Sequence, residues 1–479
     1  MHRHGLNGLG LFVGVACVVA AGLPAGARAA GPRTLQDALT MAYSTNPTLL
    51  AERANLRAVD ENVPAALSGW RPTVSVTASG GRANGDSVLT TFPSALNKNQ
   101  RTVSSTAGWR NANTESATIT QPLYRGGQTV AGTNRAENQV MGERARLIAQ
   151  EQTTFTNVVN AYVNVIQDQQ VLTLNVNNEQ VLARQLQATN DRFRVGEITR
   201  TDVAQAESAL AGATATRQTA EGTLQTARSL YQQLVGEYPG KLIEPQPLRL
   251  PTKTLEQAKA LAGGNNPNVV AALFDDAAAK DNFDLQYAKL LPNLSLQGVV
   301  SRSEDSAIRG QRQDNAQLLA TLSLPIFQGG IEYATIRQAR QQQLQTRDRI
   351  EDARRTAIQN AISAWETYNA ARATIDSTRS AVRSNQVALE GVQREAIVGS
   401  RTTLDVLNAE QLLLNSQVTL VQNLASLVNA SYSVAAATGK LNARDLSLQV
   451  PLYDETAYYK AVHDKWFGTG DFATDQPNR

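Results

Sequence analysis

Residues 121–127 read Gln-Pro-Leu-Tyr-Arg-Gly-Gly, and residues 324–330 read Leu-Pro-Ile-Phe-Gln-Gly-Gly. Each stretch ends a pattern of alternating apolar and polar residues, which predicts a β-strand, and begins a long amphipathic pattern, which predicts a helix. The pairs Gly126–Gly127 and Gly329–Gly330 therefore mark abrupt strand-to-helix turns, because glycine tolerates backbone angles that other residues avoid. The same junction occurs twice, 203 residues apart, which predicts two copies of one structural unit.

Further sequence marks extend this repeat in both directions. Asn46-Pro47 and Asn266-Pro267 are 220 residues apart, so the first copy holds 17 more residues than the second before the glycine pairs. We expect a signal peptide at 1–29, a first repeat at 30–251, a second repeat at 252–447 and a C-terminal tail at 448–479. The tail is expected to be weakly ordered, and the sequence leaves open whether it folds against the rest of the chain or trails.

Each repeat is predicted to contain a helix, two strands and a long helical hairpin. Thr34 and Thr254 are plausible N-caps, with Gln257 three residues after Thr254 as in a capping box, and Pro64 is expected to kink the first copy. The strands are predicted at about 72–82, 113–124, 292–302 and 315–327, and the hairpins at about 127–236 and 329–438.

The two helical stretches after the glycine pairs are unusually long. At about 1.5 Å per residue, residues 127–194 and 329–397 would each span about 100 Å, and their apolar residues recur at the spacing of a coiled coil. Gly196 and Gly399 interrupt the two patterns, so each long helix is expected to turn there and return antiparallel to itself.

The N-terminus predicts export. Arg3 precedes an apolar run from Leu9 to Leu23, and Ala27-Arg28-Ala29 fits a signal-peptidase cleavage site. The run is too short for a membrane-spanning helix of about 20 residues. Cys17 leaves a lipoprotein cleavage site as an alternative, although apolar residues continue past it.

Composition excludes several function classes for the exported chain. Cys17 is the only cysteine, and of the three histidines only His463 would survive cleavage, so the sequence predicts no disulfide, metal site or cofactor. Removing Arg3 and Arg28 lowers the formal charge of +3 to +1, which gives no general attraction for nucleic acid. No residues form a nucleophilic catalytic arrangement, so we do not expect an enzyme.

Four predicted strands with alternating faces suit a transmembrane β-barrel, but four strands cannot close one. Open sheet edges are not tolerated in lipid, so closure is expected to come from other copies of the chain. Three copies would supply twelve strands. The alternative is an exported coiled-coil protein, structural or adhesin-like, which does not conduct.

The residues from Val398 to Glu410, Val-Gly-Ser-Arg-Thr-Thr-Leu-Asp-Val-Leu-Asn-Ala-Glu, together with the repeat and both glycine pairs, resemble TolC-type outer-membrane efflux proteins, the outer membrane factor family. The resemblance covers about residues 34–447. It implies a mixed α/β membrane protein: a homotrimer with a twelve-stranded β-barrel in outer-membrane lipid, continued by a periplasmic α-barrel of twelve helices. Implied partners are a periplasmic adaptor (membrane fusion) protein and an inner-membrane transporter, in drug efflux or type I secretion.

The resemblance also implies a gate at the hairpin tips. Asp405 and Asn408 match the positions that line the entrance, and Arg401, Thr201 and Asp202 match residues that link neighbouring hairpins. The family has aspartate where this chain has Asn408, and tyrosine where it has Ala396, so a weaker acidic ring and one missing latch are expected. A ring of carboxylates at a constriction would favour cations.

A plainer interpretation of both aspartates stays open. Thr199 precedes Asp202 by three residues and Thr402 precedes Asp405 by three, as in capping boxes at helix N-termini. The two roles are compatible.

Overall fold

The computed structural model describes residues 33–91, 102–306, 308–470 and 472. The predicted signal peptide at 1–29, with Cys17, lies outside these residues. No helix within the described ranges has a stretch that is both long enough and apolar enough to cross a membrane.

Capping side chains satisfy free backbone N–H groups at the start of three helices of the first repeat. Thr34 and Asp37 form a reciprocal capping box, and the side chain of Asn46 accepts hydrogen bonds from the N–H groups of Thr48 and Leu49. The helices are α1 (Leu35–Thr45), α2 (Pro47–Asp60), α3 (Asn62–Leu67), α4 (Gln128–Arg194) and α5 (Arg200–Val235).

The helices of the second repeat follow the same order as those of the first, with one difference. Its helices are α6 (Leu255–Asn265), α7 (Pro267–Ala288), α8 (Ile331–Ile397) and α9 (Thr403–Ala437), and α10 (Ala457–Val462) follows in the tail. The helix α7 is continuous, whereas the first repeat breaks between α2 and α3 near Pro64, which cannot donate a helical hydrogen bond. Thr254 caps α6, but Gln257 accepts from the N–H of Lys253, so the predicted capping box is not closed.

The four predicted strands form one antiparallel sheet. The strands are β1 (Thr73–Asn84), β2 (Ser87–Thr91), β3 (Thr102–Thr106), β4 (Trp109–Arg125), β5 (Asn293–Glu304) and β6 (Arg312–Ser323). The sheet has the order β1-β4-β5-β6, so β1 and β6 are its edges. Strands β2 and β3, which the sequence analysis did not predict, pair with each other at the end of the β1–β4 hairpin, in the copy that has the additional residues.

The last strand ends earlier than the sequence predicts, at Ser323 instead of about 327. Pro325 follows, and proline has no N–H for a ladder hydrogen bond. The equivalent Pro122 is tolerated inside β4 because the register with β5 shifts there, between Pro122 and Tyr124.

The main core lies midway along the first hairpin, where α1 packs against α4 and α5. Phe155 and Tyr162 of α4 and Tyr231 of α5 are fully buried there, and the Tyr162 and Tyr231 rings lie 6.2 Å apart. In the second repeat, Ile358 and Trp365 at matching positions of α8 stay only half-buried. The two hairpins of one copy therefore differ in how much of their apolar seam is covered.

The repeated Asn-Pro pairs join the two ends of each repeat. Asn46 Nδ2 donates to the carbonyl oxygen of Leu234 at 2.9 Å, and Asn266 Nδ2 donates to that of Ala437 at 3.2 Å. Each asparagine therefore caps the short helix that follows it and also binds a free carbonyl group at the end of the returning long helix.

The described part of the C-terminal tail packs against the helices. Leu448 belongs to the main core together with Leu441, which precedes the tail, and the N–H of Ala443, also before the tail, donates to Glu151 Oε1 at 2.6 Å. Arg53, fully buried nearby, stacks on the ring of Tyr453 at 5.1 Å. The tail and the residues just before it thus cover polar and charged groups of α2 and α4.

Two equivalent glycines that end the returning helices allow a test of this packing. Gly439 has φ of 77° and a methyl group there would lie 2.7 Å from the carbonyl oxygen of Asn265, whereas at Gly236, with φ of 96°, the nearest atom would be 3.5 Å away. We expect Gly439→Ala to lower the free energy of unfolding by about 2–4 kcal/mol and Gly236→Ala by about 1–2 kcal/mol, the cost of left-handed backbone alone. Guanidinium denaturation followed by far-UV circular dichroism measures both, and equal losses would contradict the proposed clash.

Glu151 predicts a pH dependence of stability. Burial is the main cause that raises its pKa to about 7 from an ordinary 4.5, so the folded chain holds a proton that the unfolded chain releases. Stability from this group is therefore present below about pH 4.5 and is lost as the pH rises towards 7.

We expect Glu151→Gln, which keeps an acceptor for the Ala443 N–H, to stabilise the protein at pH 8 by about 1–3 kcal/mol and to change little at pH 4.5. Denaturation at both pH values checks this, with Glu207→Gln on an exposed position as the control. A gain of the same size at both pH values would argue against a buried titrating carboxyl group.

Candidate functional site

The two hairpin tips share one turn geometry. Between α4 and α5, Gly196 has φ of 80°, and its N–H donates to the carbonyl oxygen of Phe193. Between α8 and α9, Gly399 has φ of 81°, and its N–H donates to that of Ala396. A left-handed residue at each position ends the long helix and reverses the chain, which a side chain would make costly.

The ion pairs at the tips differ between the repeats. In the first tip, Arg192 at the end of α4 bonds Glu197 after the turn, at 2.6 Å. In the second tip the order along the chain is reversed, with Glu395 before the turn and Arg401 after it. Arg401 Nε donates to Glu395 Oε2 at 2.9 Å. The sequence analysis missed Glu395, Arg192 and Glu197; the only signal for them is opposite charge five or six residues apart across a glycine turn.

Asp202 and Asp405 both close capping boxes. Asp405 Oδ2 accepts hydrogen bonds from the N–H and hydroxyl of Thr402 at 2.9 and 2.8 Å, and Asp202 Oδ2 accepts from Thr199 in the same way at 3.0 and 2.7 Å. These hydrogen bonds lower the pKa of both carboxyl groups, chiefly through the Thr402 N–H for Asp405 and the Thr199 hydroxyl for Asp202. Each carboxylate stays ionised and partly exposed.

The other residues matched to the family gate are Thr201, Arg401 and Asn408, and all three are exposed in one copy. Arg401 bonds Glu395 of its own hairpin. Leu407 of α9, two residues after Asp405, is buried against Leu182 and Ala213 of the first hairpin, so the two hairpins pack together close to the second tip. The polar gate residues stay on the surface.

The tips also expose large apolar side chains. Val195, Ile397 and Val398, which surround the two turns, are about four-fifths exposed. They lie at the end of the hairpins farthest from the sheet, since each hairpin reverses there.

The sheet at the other end of the molecule has two chemically distinct faces. One face carries the cross-strand row Val74, Ile119, Gly298 and Leu318, followed by the row Val76, Ala117, Val300 and Ala316. The opposite face carries rows that are mostly hydroxyl and amide groups, such as Thr77, Ser116, Ser301 and Asn315.

The apolar face begins at the helical end of the sheet and stops at a charged row. That row contains Glu115, Arg302 and Asp314, and Arg302 Nε donates to Asp314 Oδ1 at 2.8 Å. One apolar and one polar face on the same sheet is the pattern of a barrel wall between lipid and a water-filled lumen.

The strand-to-helix turns connect the sheet to the long helices of the hairpins. Gly126 and Gly127 have φ of 60° and 87°, and Gly329 and Gly330 have 73° and 85°. A methyl group at Gly126 would lie 2.7 Å from the carbonyl oxygen of Ala288, so this turn also needs glycine for close packing.

The helical part contains polar clefts. One of about 610 Å³ lies between α4, α8 and α9 and is lined by amides, hydroxyls and small apolar residues, including Gln152, Asn157, Asn360 and Asn429. Its lining residues carry no charge. Among the residues that the structure describes, no group of three or more His, Cys, Asp or Glu side chains could hold a metal ion.

The chain is similar to known outer membrane efflux proteins. A family model described as outer membrane efflux protein matches residues 38–237 and 259–440, one segment in each repeat. The outer membrane efflux protein BepC of Brucella suis is 36% identical over 457 residues, which cover 95% of each chain. The outer membrane protein TolC of Escherichia coli is 27% identical over 318 residues, 62% of this chain and 63% of TolC.

The solved structure of the Campylobacter jejuni CmeC outer membrane channel has the same fold. It superposes with a TM-score of 0.73 at 16% identity, over 90% of this chain and 89% of CmeC. The family model matches most of this chain, and BepC matches nearly its full length. The chain therefore belongs to the outer membrane efflux protein family.

Proposed function

We propose that three copies of this chain form an exit duct in the outer membrane. The observation that carries the proposal is the sheet, which has one apolar face, one polar face and two open edges, β1 and β6. Three such sheets joined edge to edge would give twelve strands, with the apolar faces towards lipid and the polar faces around a lumen.

The helical hairpins support the same assembly. Each copy contributes two hairpins whose longer helices, α4 and α8, have 67 residues, about 100 Å at 1.5 Å per residue. On α8, Ile331 and Val387 are about two-thirds exposed in a single copy. Contact with a neighbouring copy would bury such residues, and six hairpins would form a tube of twelve helices through the periplasm.

A duct of this kind needs partners, because the sequence has no nucleotide-binding loop that could supply the energy for transport. The relative BepC is described as an efflux protein, and the sequence has no phosphate-binding loop of the Gly-x-x-x-x-Gly-Lys-Ser/Thr type. We therefore assign the energy for transport to an inner-membrane transporter, joined to the duct by a periplasmic adaptor protein, in efflux or type I secretion. The names of the relatives BepC and CmeC, which describe an efflux protein and a channel, favour this duct over a non-conducting structural protein.

The gate would lie at the hairpin tips. In a trimer, Asp405 would be present three times around the axis, ionised because its hydrogen bonds with Thr402 lower its pKa. Asn408, one turn further along α9, adds no charge. Arg401, Thr201 and Asp202 would link the tips of neighbouring copies.

Single-channel recording in a planar bilayer tests the duct and the gate together. We expect small currents with a preference for cations, and we expect Asp405→Asn to reduce that preference at least about twofold, because a charged ring concentrates counter-ions. Asparagine retains an oxygen that can accept the Thr402 hydrogen bonds, so helix content should not change.

Asp37→Asn is the matched control, since Asp37 closes the same kind of capping box with Thr34 at the start of α1, away from the hairpin tips. If Asp405→Asn leaves the preference unchanged, Asp405 is a helix cap and not a gate residue. If a properly inserted trimer carries no current, the duct itself is refuted and the non-conducting structural protein is favoured.

A further inference from the structure

Two of the four tryptophans of the chain lie next to Arg71 at the helical end of the sheet, one beside it in sequence and one packed on its side chain. Trp70 ends a short 3-10 turn (Ser68–Trp70) just before β1. Trp466, near the end of the described tail, lies on the guanidinium group of Arg71, which is 5.0 Å from the ring centre. Arg71 Nη1 also donates to the carbonyl oxygen of Lys465 at 2.6 Å. The tail therefore returns to the base of the sheet.

The route of the tail to this point is fixed by contacts of α10. The hydroxyl of Tyr458 donates to Glu61 Oε1 at 2.9 Å, and the ring of Tyr459 lies 5.4 Å from the guanidinium of Arg144. Val462 is fully buried. Because these contacts hold α10 against α2 and α4, the next residues can reach only a limited region near β1.

At that region the tail exposes its apolar side chains. Trp466 is 64% and Phe467 is 89% exposed, although each is large and apolar. The base of the sheet exposes others at the same end of the strands: Leu123, Tyr124, Ile326 and Phe327. Trp466 and Phe467 are adjacent in the chain, and exposed apolar residues that adjoin in this way mark a surface that another phase or molecule covers.

The sheet indicates what covers them. Apart from Gln121, its apolar face extends from this base to the charged row of Glu115, Arg302 and Asp314, so the base is the boundary of the lipid-facing band nearest the helices. Aromatic side chains concentrate at such boundaries, where the ring contacts acyl chains and the polar group contacts water and headgroups.

We propose that residues 465–467 are a membrane-interface anchor, with Trp466 and Phe467 in the headgroup region of the phospholipid leaflet that faces the periplasm. The proposal rests on the proposed function, because it requires the apolar band to lie in a bilayer. Lys465 suits the same region, since its ammonium group can bind lipid phosphate. The tail would thus hold the helical tube at a set depth below the membrane.

Fluorescence quenching by lipids tests this anchor. The full-length protein carries Trp70→Phe, Trp109→Phe and Trp365→Phe, which leaves Trp466 as the sole tryptophan, and is reconstituted in phosphatidylcholine vesicles. We expect lipid brominated near the carbonyl end of its acyl chains to quench Trp466 at least about twofold more than lipid brominated near the methyl end, as for an interfacial ring.

A second protein separates this inference from the proposed function. It carries Trp466→Phe in the same background together with Val76→Trp, which reports on the apolar face of β1. Heat-resistant trimers on a gel serve as the folding control for both proteins. Quenching of the tryptophan at position 76 but not of Trp466 would overturn the anchor alone, whereas quenching of neither would contradict the barrel.

Two other results would show that water or a neighbouring copy, and not lipid, surrounds Trp466. If the aqueous quencher acrylamide quenches Trp466 and brominated lipid does not, the tail lies in water. If neither quencher acts on Trp466, a neighbouring copy covers it. Each of these results overturns the membrane anchor.

Discussion

The edges of the four-stranded sheet are the constraint on which the rest of this protein depends. Among the described strands of a single copy, the outward-facing backbone N–H and C=O groups of β1 and β6 have no partner strand. In hydrocarbon each such group costs several kcal/mol. Only pairing with further copies satisfies them. The number of copies, the diameter of the lumen and the ring of helices below all follow from how many sheets are needed for closure.

The internal repeat lets one copy supply two similar hairpins for that ring, but the two are not interchangeable. The first hairpin carries the main core with α1 and the tail, around Phe155 and Tyr162, whereas Ile358 and Trp365 of the second are only half-buried. The ion pairs at the tips also differ, since Arg192 precedes its turn and Arg401 follows its own. The two hairpins of one copy therefore have similar backbones and different surface chemistry.

Much of the fold could be predicted from the sequence because its signals are local and strong. Glycine turns at Gly196 and Gly399 and the change of hydrophobic period after Gly127 and Gly330 need no knowledge of tertiary contacts. The additional strands β2 and β3 were missed because their short polar stretches carry little periodicity. The early end of β6 depends on Pro325, which ends the strand. Pro122 does not end β4, because the register between β4 and β5 shifts there.

The tips were harder to predict from sequence than the fold. The capping boxes of Asp202 and Asp405 follow from residue spacing, and the structure contains both. The pairing of Arg401 with Glu395 depends on how the chain reverses at Gly399, which spacing alone does not define. Contacts between copies involve surfaces that one chain does not bring together, so the gate stays a proposal that electrical measurements can decide.

The short hairpin of β2 and β3 has a consequence of another kind. It belongs to the first repeat only and follows the end of the sheet that is farthest from the helices. In an outer-membrane trimer it would be among the first parts that bacteriophages and antibodies meet. Since it pairs only with itself in the described sheets, it can change sequence without disturbing the barrel. We expect natural variation among close relatives to concentrate there.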